Sequence, residues 1–421
     1  MRVRFVPPGA REGGAPRGSD LASGGVVVQV LADLSPGAAA AWDELVERTP
    51  GTDVTQLSAW GRVRRHQGFA PLYLLAARDG ELVGGAQILV RRLPLVGPVG
   101  YLAYGPLLAP EAAGRADVRA VLTGALAELG GRRLRMLVVQ PPEGAEDVSA
   151  ELLERGFRPS NADIAPTGST RIDLTTDLAT IRSRFGKRLR SWTNRWEQRG
   201  VTVRSGDERD LPLLSRLMAC SAAVQGHALL PPSYVEALYR ELAPTGHAAV
   251  FVGEVHGVPV AADLVTRCGG MIRGRLAGFD REGEAGSLSV PAAIRWHIIR
   301  WGKDGGLRWF DFGGLRPQTL DVLLSGGERP PEGWPAADQP KLTFGGTAFR
   351  YPQPVEMVAS PALRVGYDLA FRSPGGRRAL DAVRRALRGS RSSLPPSSSA
   401  LPVLSCAVLA WAALSWSGGG R

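Results

Sequence analysis

Lysine is nearly missing from this 421-residue chain: only Lys187, Lys303 and Lys341 occur, although lysine and arginine together number 51. Almost every cation is arginine, within an Arg, Ala and Gly bias that reads as the mark of a high-GC bacterial genome. Cysteine is as scarce. Cys220, Cys268 and Cys406 have no metal spacing and no natural pairing, which excludes a disulfide framework and suits a reducing compartment. The five histidines, His66, His227, His247, His256 and His297, form no HExxH or His-x-His cluster, so no metal site is expected. His297, between Trp296 and Trp301, reads as a packed core residue. No GxSxG elbow or Walker loop is present. The N-terminus lacks an apolar core of signal-peptide length, and residues 1–24 are expected to be a disordered extension. A DFG triplet occurs in WFDFGG, Trp309 to Gly314, but a kinase also needs a Gly-rich loop, a strand lysine and an HRD loop, and none is found.

What is present begins with unevenly placed charge. The formal net charge is +11. From Ile181 to Arg204, eight basic residues stand against Glu197 alone, and after Leu363 nine arginines stand against Asp368 and Asp381. The remainder is slightly acidic. Two basic patches point to local docking of phosphates, RNA or an anionic membrane, not to general nucleic-acid coating.

The order of elements repeats. In the first half, VVVQVL reads as a strand, and Ser35 with Pro36 opens a helix. TDVTQLSAWGRVRRHQ reads as a second helix. A hairpin follows around Asp79-Gly80, then a strand or loop, a helix over Arg115 to Leu129 and the strand LRMLVVQPP. The second half has a basic helix from about Arg182, the strand GVTVRSG, two helices, a hairpin at His256-Gly257 and a further strand. The helix SVPAAIRWHIIRWGKDGG and the strand LRWFDFGG close it. This is the order of an acetyltransferase-type α/β unit, present twice.

Four stretches carry a family resemblance. TQLSAWGRVRR has a Gln-x-x-x-Trp helix with Arg64 one turn beyond the Trp; AYGPLL has an aromatic-x-Gly-Pro segment at Tyr104; an Arg-rich stretch ends RWEQRGVTVR; and WFDFGG is followed by KLTFGG, Lys341 to Gly346. Together, from about Gly25 to Tyr367, they resemble the FemABX family, the aminoacyl-tRNA-dependent transferases that add amino acids to peptidoglycan precursors. The resemblance implies an α/β fold of two tandem GNAT-like (acyl-CoA N-acyltransferase type) domains, mixed sheets flanked by helices, at 25–165 and 166–370. A basic helix and Ser/Pro linker at 371–400 and an apolar tail at 401–421 would follow.

The resemblance also implies a site. Lys341 would stand near the aminoacyl ester and stabilise the oxyanion formed when an amine attacks the carbonyl; the plainer alternative is a solvated lysine beside a tight turn. Asp311 would orient substrate or accept a proton, or simply hydrogen-bond turn amides. Arg64 would meet a diphosphate through its planar fork, or lie solvated on a helix face. Tyr104, Gly105, Phe312, Gly313, Gly314, Arg316, Phe344 and Gly345 complete the substrate-binding set, the glycines letting backbone approach a ligand. Arg188, Arg190 and Arg195 are the candidate contacts to tRNA or precursor phosphates.

The implied partners are aminoacyl-tRNA as co-substrate, with no tightly bound cofactor, and a lipid-linked or nucleotide-linked cell-wall precursor. A cytoplasmic monomer is expected, touching the inner leaflet through a basic stretch and apolar tail. Departures from the family pattern exist. Pro340 replaces the aromatic that precedes the lysine in the strand expected there, Leu230, Pro231 and Pro232 stand where an arginine precedes Tyr234, Ala109 and Pro110 replace an acidic residue, and no long heptad insertion occurs. The rival chemistry is acetyl-CoA-dependent N-acetylation on the same fold. RHQGFA at Arg65 to Ala70 fits the letters of a pyrophosphate loop but runs from helix to strand, the wrong context. A third reading is a non-catalytic scaffold, whose signature would be loss of Lys341; that lysine is present.

Overall fold

The structure, a computed structural model, describes residues 3–5 and 25–380, apart from 94–95, 113, 163, 226–228, 328–332, 377 and 379. The apolar tail and everything from 381 onward lie outside the described residues, so the expected membrane attachment has no structural counterpart here. Among the described residues no helix is long and apolar enough to cross a membrane.

Two mixed sheets flanked by helices form the fold. The first runs, in spatial order, Val3–Phe5, Val27–Leu31, Ala70–Arg78, Glu81–Leu93, Gly97–Ala103, Met136–Gln140, Val355–Val358 and Arg158–Pro159, with Leu107–Leu108 pairing on Glu81–Leu93. The second runs Val201–Gly206, Ala248–Val255, Val258–Cys268, Met271–Phe279, Trp309–Asp311, Gly168–Asp173 and Thr347–Arg350. Both hairpins turn on a dipeptide whose two residues have positive φ: Asp79 at 50° with Gly80 at 86°, and His256 at 50° with Gly257 at 79°. That geometry matches the twist of the flanking strands. After each hairpin comes a third strand, a helix (Ala116–Glu128 or Val290–Asp304) and a strand parallel to the third. The repeat expected from sequence is present in both halves. Ser35 caps the helix Pro36–Arg48 by accepting from the Ala38 amide at 3.3 Å.

Three local expectations are corrected. Residues 3–5 are not part of a disordered extension; they run parallel to Val27–Leu31, where the Val-Arg-Phe triplet pairs with what would otherwise be a bare edge. The basic stretch is not one helix. It breaks into Leu178–Ser183, Lys187–Trp192 and the 3-10 turn Glu197–Arg199, interrupted at Gly186 and ended by Gly200 in the left-handed region. The segment holding Lys341 is not a strand but the short helix Gln339–Leu342, whose first turn accommodates Pro340.

One feature ties the halves together. Val355–Val358, late in the chain, returns to the first sheet between Met136–Gln140 and Arg158–Pro159. The chain therefore leaves the first sheet after Arg158–Pro159, builds the second sheet and comes back. Entry and exit touch, the Tyr351 amide donating to the Thr167 carbonyl at 2.9 Å. Packing is shared as well. One apolar cluster runs from Trp42, Leu45 and Ile88 of the first unit to Leu214, Leu238 and Val250 of the second, and a separate cluster lies under the helix Val290–Asp304.

Candidate active site

Beneath the WFDFGG turn lies a buried ionic network that spans both sheets. Asp53, just before the 3-10 turn Val54–Gln56, accepts from Arg273 at 2.5 Å and from Arg275. Arg273 also donates to Asp311 at 2.8 Å and to the Tyr351 hydroxyl at 2.5 Å, and its guanidinium stands 4.9 Å from the Tyr104 ring centroid. Arg275 lies over the Trp60 ring at 5.4 Å. Asp53, Arg273 and Asp311 are 3%, 5% and 1% exposed, so the charges are compensated by one another and not by water. Burial pushes the Asp53 carboxyl up, but Arg275 and Arg273 outweigh it and hold the group well below the usual carboxylate range.

From this network the turn is built outward. Asp311 accepts from the Gly313 amide at 2.9 Å and from the Ser169 hydroxyl, and Ser169 in turn accepts from the Gly314 amide at 2.9 Å. The Gly314 carbonyl then accepts from the Lys341 ammonium. Asp53 of the first unit is thus linked through Arg273, Asp311 and the double glycine to Lys341. Burial lowers the Lys341 pKa from the ordinary lysine value; Asp338 opposes this and Arg295 reinforces it. Lys341 is half-buried and spends one N–H on a backbone carbonyl, so the ammonium keeps donors for another group.

The glycines are required by the protein's own packing. A Cβ on Gly313 would stand 2.6 Å from the Gly274 carbonyl oxygen, one on Gly314 2.8 Å from Pro166 and one on Gly345 2.2 Å from the Arg184 carbonyl oxygen, with φ of +87°, +115° and +65°. They admit the protein's own atoms, which lets the two turns close on a strand at Gly274, a loop at Pro166 and a helix end at Arg184. Phe312 and Phe344 stack at 5.1 Å inside the second core and supply packing to the same turns.

The remaining expected residues fall in several places. Tyr104 has φ +56° and precedes a cis Gly105-Pro106 bond; its ring packs on Tyr351 at 4.6 Å. Gln56 holds this bend from below, donating to the Ala103 carbonyl at 2.8 Å, and a Cβ on Gly105 would meet its amide at 3.3 Å. Arg64 is not solvated: it is 6% exposed, with its guanidinium 4.5 Å from the Phe69 ring centroid, bonded to Gln67. Arg316 is exposed, its amide donating to Asp338 at 3.3 Å. Arg188, Arg190 and Arg195 are exposed on the broken basic segment, Arg190 donating to the Ser183 carbonyl at 2.7 Å. Tyr104, Asp311, Gly313, Gly314 and Lys341 therefore come together. Arg64 is turned onto Phe69, and the basic segment abuts the Lys341 loop, the Gly186 amide donating to the Thr343 carbonyl at 2.8 Å and Phe185 packing on Phe344 at 5.1 Å. His297 packs against Phe251 at 5.6 Å, as a core histidine should. Among the described residues no group of three metal-ligating side chains converges.

The second sheet parts at one strand pair. The strand Met271–Phe279 pairs in parallel with Trp309–Asp311 only through Met271, Ile272 and Arg273, then continues to Phe279 without that partner. The two parallel strands meet and part, and the helix Val290–Asp304 bridges them.

Similarity to known proteins converges on the same arrangement. The family description "Acetyltransferase (GNAT) domain" matches residues 183–321. Lipid II:glycine glycyltransferase of Staphylococcus saprophyticus is 27% identical over 238 residues, covering 53% of this chain and 56% of that protein. The enzyme of the same name from Staphylococcus aureus strain MRSA252 is 26% identical over 224 residues, covering 50% and 52%. The chain thus spans little more than half the length of these curated relatives. A crystal structure of FemX superposes with a TM-score of 0.67 at 16% identity, covering 80% of this chain and 99% of that one. These similarities give the chain a FemX-like fold with a GNAT domain over residues 183–321, in agreement with the FemABX resemblance.

Two parts of this arrangement are not apparent from the sequence. Arg273 and Arg275 sit in MIRGRLAGF, where alternating charge reads as a solvent-facing strand, and their partner Asp53 lies 220 and 222 residues away. Asp263 lies inside the apolar run VPVAADLV; a carboxylate in the middle of a buried strand is the available signal.

Proposed function

We propose that this protein is an acyltransferase of the FemABX type that forms a peptide bond. It moves an aminoacyl group from aminoacyl-tRNA to an amine of a lipid-linked or nucleotide-linked peptidoglycan precursor, or of a related peptide. The amine nitrogen attacks the ester carbonyl, the ester C–O bond breaks, and the tRNA ribose hydroxyl leaves with a proton while the amine loses one. The Lys341 ammonium, on the Gly314 carbonyl and with free donors, is the group suited to the oxyanion of the tetrahedral intermediate. Asp311 is a positioning residue that shapes the turn, since both of its oxygens are engaged. The observation that carries the reading is this half-buried lysine at the double-glycine turn, in a chain whose relatives bear the name glycyltransferase. A lipid-linked acceptor places the protein in the cytoplasm with peripheral contact at the inner leaflet, and no second copy is needed to complete the site.

Acyl-CoA is the alternative donor, favoured by the GNAT-domain match over residues 183–321. The RHQGFA segment does not help it, because Arg65 ends the helix Ser58–Arg65 and Ala70 begins a strand. The test is transfer of radiolabel from a charged tRNA pool to lipid-linked precursor, beside labelled acetyl-CoA with an amine panel. Label leaving tRNA is the expected result; label moving only from acetyl-CoA would sink the tRNA reading.

The exposed arginines give a second check. Arg188→Gln combined with Arg195→Gln is expected to weaken tRNA binding and flatten its salt dependence, by about 0.7–0.9 in the log–log slope for every phosphate the protein ceases to neutralise. Filter binding over a salt series reads this directly; an unchanged slope would remove these residues from the interface.

A further inference from the structure

The strand Val258–Cys268 carries one acidic side chain in an apolar row. Ala261 and Val265, two residues either side of Asp263, belong to the core under the helix Val290–Asp304. Strand alternation puts Asp263 on that same face. Its cross-strand partners agree: Phe251 on one side packs on His297 and Trp301 of the helix, and Ala277 on the other side is exposed. Asp263 is only 7% exposed. Its Oδ1 has no hydrogen-bond partner among the described residues, and its Oδ2 lies 3.9 Å from the Arg295 guanidinium, too far for a hydrogen bond. Arg295, from the helix, is also close enough to Lys341 to lower its pKa.

A structural role does not account for this arrangement. A buried carboxylate with one oxygen unsatisfied is less favourable than an apolar residue of similar size, and its neighbours in the row are alanine and valine. Burial raises the Asp263 pKa to about 6, with Arg295 opposing, so the group is largely ionised at neutral pH. It stands beside Ala277, which is exposed, on the stretch of Met271–Phe279 that has left its parallel partner. A carboxylate with one oxygen left without a hydrogen bond at that point is complementary to a cationic donor with several N–H groups.

We propose that Asp263 is an amine-recognition residue where the second sheet parts, binding the ammonium group of a substrate through its unpartnered Oδ1, with Arg295 bracing its other oxygen. The proposal deepens the transferase reading and rests on it for the identity of the substrate. Two substrates of that reaction carry an ammonium: the aminoacyl group of the donor and the side-chain amine of the acceptor.

The experiment is equilibrium binding by calorimetry to the full chain, using two probe pairs. One pair is an amide-linked 3′-glycyl-adenosine and its N-acetyl derivative; the other is a lysine-containing stem peptide and its ε-N-acetyl derivative. Wild type is expected to prefer the free amine of one pair by about tenfold or more, the size of a hydrogen bond to a charged group. Asp263→Asn and Asp263→Leu are expected to lose that preference while keeping the wild-type circular dichroism, the leucine variant being at least as stable. Preference within the adenosine pair assigns Asp263 to the donor, and within the peptide pair to the acceptor. No preference in either pair, or preference kept by both variants, overturns the proposal. Transfer from charged tRNA is measured in parallel. If it fails while the Asp263-dependent preference persists, the tRNA reading falls and the amine site stands; if it succeeds without any preference, only the amine site falls.

Discussion

Lys341→Ala is expected to lower the rate of aminoacyl transfer about 100- to 1000-fold, the cost of removing one oxyanion donor, with little change in substrate affinity. The substitution takes a donor from the Gly314 carbonyl alone, and the residue is half-buried, so unfolding by denaturant is expected to shift little. Single-turnover measurement with charged tRNA separates the chemical step from binding. A variant within threefold of wild type would remove Lys341 from the chemistry. The pH dependence has a definite sign. Because burial lowers its pKa in the folded protein, Lys341 loses its proton at a lower pH than an ordinary lysine. The transfer rate should therefore fall on the alkaline side before the ordinary lysine range is reached. In that same window the unfolded chain binds more protons than the folded one, so this group's contribution to stability rises with pH.

The second large effect concerns stability. Arg273→Met removes the cation shared by Asp53 and Asp311, leaving Asp311 buried without a counter-charge. Breaking a buried pair in this way costs about 3–5 kcal/mol, and chemical denaturation should show a loss of that order. Arg273→Met combined with Asp311→Asn should recover part of it, because the uncompensated charge is gone. A loss below about 1 kcal/mol would mean that the network is far better hydrated than its burial indicates. Acid probes the same contacts. The Asp53 pKa is depressed in the folded state, so its contribution is fully present above the ordinary aspartate value and fades as pH falls toward the folded one.

How much of this can be read in advance depends on the range of the interactions. The paired units are visible because hairpins, caps and helical periodicity are local, and Asp79-Gly80 and His256-Gly257 mark equivalent turns. Lys341 stands out through the scarcity of its residue type and its place before a Phe-Gly-Gly turn. The glycines beside it mislead, because the sequence signals that something approaches closely without saying whether it is a ligand or another strand. Gly345 meets the Arg184 carbonyl, contributed by a segment far back in the chain. Arg64 misleads for a related reason: its neighbours Arg62 and Arg65 are exposed, and nothing local distinguishes the arginine that folds over Phe69. The return of Val355–Val358 to the first sheet cannot be read from four residues of ordinary strand character.

That return strand has a mechanical meaning. Because the second sheet is an excursion whose two ends are hydrogen-bonded to each other, tension applied between residues near 27 and 358 would pass through the first sheet and bypass the second. The unit holding Lys341 would bear load only after Val355–Val358 had been torn from between its neighbours. During synthesis the order is reversed. The first sheet stays gapped until residue 358 has emerged, so the ribosome releases a second unit that is already complete while the first still waits for its clasp.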